Sequence, residues 1–174
     1  MDLSDKKALF VIPPFDFRDE ELFETKELLE AADIQINIAS SVKGICRGML
    51  GGTIESKYQI ISVATIEHDA VIFIGGDGSM TFWEDSIAHK IIIDAYNMQK
   101  IVAAIGSAPV TLANSGILAG KRVTCWKNEQ VKVESRGALY TSELVTYDGK
   151  IITASTPECA AQFARSIIKG LMTI

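Results

Sequence analysis

KIVAAIGSAPVTLANSGILAG, Lys100 to Gly120, is the stretch whose reading decides the fold. Ile101 to Ile105 is an unbroken apolar run, the pattern of a parallel strand covered on both faces. Gly106, Ser107 and Ala108 are small enough for a tight turn. Pro109 suits a first helical position, because its missing N–H has no intrahelical partner there and its φ is already helical. The spacing predicts a helix through Val110, Leu112, Ala113 and Ile117, with Gly116 or Gly120 as its stop. A strand, an apex residue and a helix N-terminus in this order form a nucleophile elbow. In such a turn the apex side chain is held out of the sheet and free amides face a developing anion. An apex residue sits at strained, positive φ, which costs a non-glycine residue about 1–3 kcal/mol. The apex here is Gly106, which relieves the strain and removes the reactive group.

Upstream of the elbow, ALFVI (8–12) reads as a first strand closed by Pro13 and Pro14. Asp16 with Asp19 three residues on resembles a capping box, and Asp19 to Glu21 place negative charge at the start of a helix. Leu22, Leu29 and Ala32 recur at helical spacing, widened by Phe23 and Leu28, with Lys26, Glu27 and Glu30 toward solvent. IQINIAS (34–40) is a second strand, and a strand, helix, strand unit of this length begins a parallel sheet. Between Ser41 and Ile66 the pattern weakens into a β-hairpin excursion with Gly51-Gly52 as its turn. AVIFI (70–74) is again continuously apolar and ends at GGDGS (75–79), before a helix over 83–99.

Downstream, Arg122 to Trp126 reads as a short strand and LVTYDGKIITAS (144–155) as a hairpin around Asp148-Gly149. Thr156, followed by Pro157 and Glu158, caps a last helix that buries Ala161, Phe163, Ala164, Ile167, Ile168 and Leu171. Alternating strands and helices predict an α/β fold with a doubly wound, mostly parallel sheet. In such sheets ligands sit at the carboxyl ends of strands near the topological switch point. Pro13 to Glu21, Gly75-Gly76 and Gly106-Ser107 converge there.

The 174 residues predict a single domain over 1–174 that buries about two-thirds of its unfolded surface. A hydrophobic content of 48% with 22% charged residues is that of an ordinary globular protein. The net charge of -5, without a dense Lys/Arg stripe, sets nucleic acid aside as a partner. Met1 to Lys7 is polar and no apolar run reaches the ~18 residues needed to cross a bilayer, so no membrane partner and a cytoplasmic location are expected. Cys46, Cys125 and Cys159 are odd in number, widely spaced and without a CxxC, which predicts reduced thiols and no zinc site; no metal or other cofactor is expected.

ALFVIPPFDFRDEEL (8–22), AVIFIGGDGS (70–79), VAAIGSAPVTLANSGILAGKRVT (102–124) and DGKIITASTPECAAQFA (148–164) together resemble the ThiJ/PfpI superfamily, which includes intracellular proteases and glyoxalases. The resemblance covers nearly the whole chain. It implies a flavodoxin-like three-layer sandwich of the class I glutamine amidotransferase kind, a homodimer, and cysteine-dependent hydrolase, glyoxalase or deglycase chemistry. The position matching Gly106 is ordinarily the cysteine nucleophile, and Ser107 stands where the proteases carry histidine. By the same resemblance Glu21 is the carboxylate that approaches the cysteine, Arg18 falls where some members carry another acid, and Trp126 replaces a histidine or tyrosine. The Gly76 and Ser107 amides would still form an oxyanion site, with Asp77 beside them. Gly106 is open to two readings, a natural loss of the nucleophile or an introduced substitution. The first implies a catalytically degenerate protein that binds a small carbonyl or carboxylate compound or a partner; the second implies a silenced cysteine enzyme.

Each candidate also has a plainer reading. A serine needs a neighbouring base to lose its proton, and neither His68, before the 70–74 strand, nor His89, within a helix, offers one, so Ser107 is expected to satisfy the helix N-terminus. Cys125 and Trp126 alternate, so one of the two faces the pocket. Cys125 and Cys159 are expected to be buried packing residues, although a helix N-terminus at Cys159 could lower a thiol pKa. Cys46 is expected in a loop or interface, Glu21 as helix-end charge, and Asp77 and Ser79 as caps.

Overall fold

The computed structural model describes residues 2–174. In chain order the strands and helices are β1 (Lys7–Val11), β2 (Phe15–Phe17), α1 (Asp19–Ala31), β3 (Gln35–Ser40), β4 (Gly44–Gly48), β5 (Thr53–Ser56), β6 (Tyr58–Gln59), β7 (Ala70–Phe73), α2 (Met80–Trp83), α3 (Ser86–Asn97), β8 (Ile101–Ile105), α4 (Pro109–Ser115), β9 (Arg122–Val123), α5 (Gln130–Glu134), β10 (Leu139–Tyr140), β11 (Val145–Asp148), β12 (Ile151–Ala154) and α6 (Ala160–Leu171). The central sheet runs β11-β12-β8-β7-β1-β3-β6. All its ladders are parallel except the β11–β12 hairpin at one edge. The chain steps from β1 to β3 on one side and later to β7 on the other, so the switch point lies between β1 and β7, beside the carboxyl end of β8.

Alternation along the strands divides the core into two layers. Phe10, Ile12, Ile72, Ala103, Ile105 and Ile152 face α1 and α6, which bury Leu22, Leu29, Phe163 and Ile167 against them. Leu9, Val11, Val71, Phe73, Val102 and Ala104 face the other way, against Ala88, Ile91 and Ile92 of α3, Leu112 of α4 and Val133 of α5. The continuous apolar runs of β1, β7 and β8 are thus explained by helices on both faces of a flavodoxin-like, three-layer sandwich. Among the described residues, no helix is long and apolar enough to cross a membrane.

Several boundaries differ from the sequence reading, each for a local reason. The helix expected over 83–99 is α3, which starts only at Ser86 because Asp85 caps it by accepting from the Ile87 and Ala88 amides, and Trp83 ends the separate short α2. The strand expected over 122–126 stops at Val123, since the Thr124 N–H donates to Thr153 Oγ1 and leaves the ladder. The β4–β5 turn is Met49 to Gly51, because Gly52 is already paired with Gly48. The Asp148 pair with Ile151 likewise moves the second turn to Gly149-Lys150. Thr156 does cap the turn at Pro157–Cys159, which leads into α6.

Asp16 and Asp19 form no capping box: Arg18 is the N-cap and makes no side-chain cap bond. Asp16 instead sits at φ +58 in the middle of β2, where the pairing with β4 shifts register, and Asp19 is buried with both oxygens committed to the β4–β5 loop. Its Oδ2 accepts from the Leu50 amide at 2.8 Å and its Oδ1 from the Gly52 amide at 2.7 Å. Asp19→Ala should cost about 2 kcal/mol, in line with hydrogen bonds to a charged group whose freed amides can partly rehydrate. Denaturant unfolding reads the cost, and faster hydrogen exchange at Leu50 and Gly52 locates it; unchanged exchange there would contradict the anchoring role.

Candidate functional site

At the end of β8 the chain turns at Gly106, φ +70. The Gly106 N–H donates to the Ala154 carbonyl on β12 at 3.0 Å, and its own carbonyl accepts from the Trp126 N–H at 2.7 Å. The apex is therefore pinned from both sides, and Pro109 opens α4 three residues later. The elbow read from the sequence is present in its backbone.

The second wall is the end of β7. Gly76, at φ +105, starts the turn Asp77–Ser79, and the Ser79 N–H returns to the Gly76 carbonyl at 3.0 Å. Ser107 does not serve the start of α4 as expected. Its hydroxyl donates to the Gly76 carbonyl at 3.0 Å and lies 2.7 Å from Ser79 Oγ, which ties the two turns together. With its proton committed, Ser107 Oγ lacks the neighbouring base that a nucleophile needs. Ser79 is correspondingly a buried tie and caps no helix, and no side-chain cap bond comes from Asp77. The N–H groups of Gly76 and Ser107 meet no acceptor among the described residues, so both are available to an oxygen in the pocket.

The third wall is the first turn of α1. Glu21 is buried, 2% exposed, and is not the solvated helix-end charge that its sequence context suggests. Its Oε2 accepts from the Gly75 N–H at 2.8 Å. Its Oε1 stands 2.3 Å from where a Cβ on Gly106 would lie. Burial pushes the Glu21 pKa up to about 8, against the opposing pull of the Gly75 N–H and of Arg18. Glu21 is therefore mainly a neutral acid at pH 7, a hydrogen-bond donor rather than a negative charge. Arg18, at the mouth, is occupied by Glu20 through Nε–Oε2 at 2.9 Å and Nη2–Oε1 at 3.1 Å.

These walls enclose a cavity of about 270 Å³ that all seven candidate residues line: Arg18, Glu21, Gly76, Asp77, Gly106, Ser107 and Trp126. Trp126 is 43% exposed and forms one side, while Cys125 is buried in the opposite layer, as their alternation predicts. Burial, with Glu129 and Glu134 adding to it, pushes the Cys125 thiol up to about 12, which makes it a packing group. Cys159 is buried, and its thiol donates to the Thr156 carbonyl at 2.9 Å. Cys46 is fully buried in β4 and packs into the α1/α6 layer, not in a loop or interface, because its side chain points inward from the β4–β5 hairpin. His68 is held between Asn37 and the Ala64 carbonyl, and His89 contacts the Trp83 carbonyl; neither lines the cavity.

The sequence reading missed Met49 and the segment Ser155 to Glu158, which also line the cavity. The second was signalled in part: Ser155 and Thr156 follow the carboxyl end of a predicted parallel strand, where the switch-point rule places ligands. Met49 comes from the β4–β5 loop, whose docking depends on Asp19 and has no sequence signal of its own.

Comparison with known proteins gives this architecture its relatives. An uncharacterised protein of Methanocaldococcus jannaschii is 36% identical over 97% of this chain and 84% of its own length. A protein of Caenorhabditis elegans named glutathione-independent glyoxalase is 26% identical over 95% of this chain and 89% of its own. The crystal structure of a ThiJ/PfpI domain protein from Brachyspira murdochii superposes with a TM-score of 0.95 at 34% identity, covering 97% of both chains. Residues 6–170 match the family described as DJ-1/PfpI, and the chain belongs to that family.

Proposed function

We propose that this protein is a catalytically degenerate member of its family, whose elbow pocket binds a small oxygen-bearing molecule, a carbonyl or carboxylate compound, without thiol chemistry. The observation that carries the reading is the pairing of Gly106 with Glu21. The apex has no side chain, and Glu21 Oε1 occupies the room that a side chain there would need. The two free amides of Gly76 and Ser107 supply donors suited to an oxygen acceptor, and the neutral Glu21 a third. The departures at Ser107, Arg18 and Trp126 from the residues usual in the family support the same conclusion.

A second reading is favoured by the preserved elbow and by the relative named as a glyoxalase: a thiol-dependent enzyme whose residue 106 has been replaced. Gly106→Cys distinguishes the two. The degenerate reading expects the variant to be less stable than the parent by about 1–3 kcal/mol, because a Cβ enters at positive φ and displaces Glu21. It also expects negligible turnover of methylglyoxal. The enzyme reading expects turnover to rise by orders of magnitude, on the ~10⁶ scale lost when a triad enzyme loses its nucleophile. A melting midpoint at or above the parent's, together with such turnover, would overturn the degenerate reading.

A further inference from the structure

The bottom of the cavity contains an imbalance of hydrogen-bonding groups. Glu21 is 2% exposed, and one of its oxygens is satisfied by Gly75. The other, Oε1, makes no hydrogen bond to the described residues and opens on the cavity. Gly76 and Ser107 line the same space, and neither N–H has an acceptor among the described residues. An atom built on Gly75 Cα lies 2.8 Å from Glu21 Oε2 and 2.9 Å from the Ser107 nitrogen, so the carboxyl group and that amide are close neighbours. Backbone N–H groups donate and cannot accept, and a buried acid with no local cation engaged on it keeps its proton. The site thus offers three donors and calls for an acceptor with several lone pairs.

Resting on the pocket reading above, we propose that the ligand is a small carboxylate whose oxygens accept from the Oε1 end of Glu21 and from the Gly76 and Ser107 amides. Glu21 then acts as the specificity-determining residue. As the acid it donates to the ligand; once ionised it presents a second negative charge to it and repels it. The charged groups around Glu21 are Arg18 at the N-cap of α1, Glu20 in its first turn, Glu158 from the turn before α6, and Asp77, which lines the same cavity. Arg18 is engaged by Glu20, which leaves the proton on Glu21 as the group that admits an anion. Binding is therefore coupled to that proton: affinity stays level up to neutral pH and falls as pH rises above about 8.

Titration calorimetry with pyruvate and its uncharged isostere pyruvamide, from about pH 6.5 to 9.5, tests this. Pyruvate is expected to bind the parent protein more tightly than pyruvamide at pH 7 and to weaken toward tenfold per pH unit above about pH 8. Glu21→Gln replaces the acid O–H by an NH2 donor and keeps a carbonyl acceptor for the Gly75 N–H, so it should hold pyruvate within a few-fold of the parent at pH 7 and show no such slope. A pyruvate affinity that is flat with pH in the parent, or an equal slope in Glu21→Gln, overturns the proposal, since the slope would then belong to other groups. Pyruvamide binding in preference to pyruvate also overturns it, while leaving the small-molecule pocket intact. Binding of neither probe overturns both.

Discussion

Adding a single methyl group at Gly76 is expected to cost at least ~4 kcal/mol, a value reached by few point substitutions. Two effects combine. Gly76 sits at φ +105, where an L side chain is strained by about 1–3 kcal/mol. The new Cβ would also lie 2.3 Å from the Asp16 carbonyl oxygen, 2.5 Å from the Arg18 nitrogen and 2.8 Å from the Phe17 carbonyl carbon. These are backbone atoms that cannot swing aside. Gly116→Ala is the control, because Gly116 has a similar φ of +95 but nothing within 4 Å of the added atom. It should cost roughly 1 kcal/mol, the conformational part alone. Urea unfolding of the two variants reads the difference directly, and costs within 1 kcal/mol of each other would show that the β2–α1 segment does not close on the β7 turn. That closure, fixed by the Arg18 N–H on the Gly75 carbonyl at 2.9 Å, brings Glu21 to the elbow.

The same closure explains what could and could not be read from the sequence. β1, β7 and β8 were legible because burial on both faces leaves an unbroken apolar run, and no other element type writes that pattern so briefly. The elbow was legible because Pro109 after three small residues admits few alternatives. The fate of Asp19, Glu20 and Glu21 was not. Three acids in a first helical turn read as solvated charge favoured by the helix dipole, and Glu20 behaves as such, in a surface pair with Arg18. Asp19 and Glu21 are buried because distant glycines make room for them. A Cβ at Gly48 or Gly52 would overlap the Asp19 carboxylate, and one at Gly75 or Gly106 would overlap Glu21. Each buried acid thus faces two missing side chains on other elements, a complementarity visible only after the chain has folded. It also relates the empty apex to the pocket chemistry, because the absent group at 106 lets the acid reach the cavity.

The second large effect follows from that buried acid and concerns pH. Glu21→Gln is expected to become more stable than the parent as pH rises from about 5 to 8, by a few kcal/mol in total. The Glu21 pKa is raised from 4.5 to about 8 by burial, so below pH ~4.5 the side chain is protonated in both the folded and the unfolded chain and the contribution is fully favourable. Between those values the folded protein holds a proton that the unfolded chain has released. Folding then takes up a proton, and stability falls as pH rises. At 1.36 kcal/mol per unit, the loss is on the order of 3 kcal/mol by pH 7 and levels off above the folded pKa. Glutamine keeps the acceptor for the Gly75 N–H but cannot ionise, so its curve lacks this loss while every other titrating group contributes equally to both proteins. Chemical denaturation at several pH values isolates Glu21 as the difference between the two curves. Parallel curves would mean that the Gly75 amide and Arg18 outweigh burial and hold Glu21 ionised in the folded protein. In that case the pocket would present a negative charge, and the small carboxylate would be its least suitable ligand.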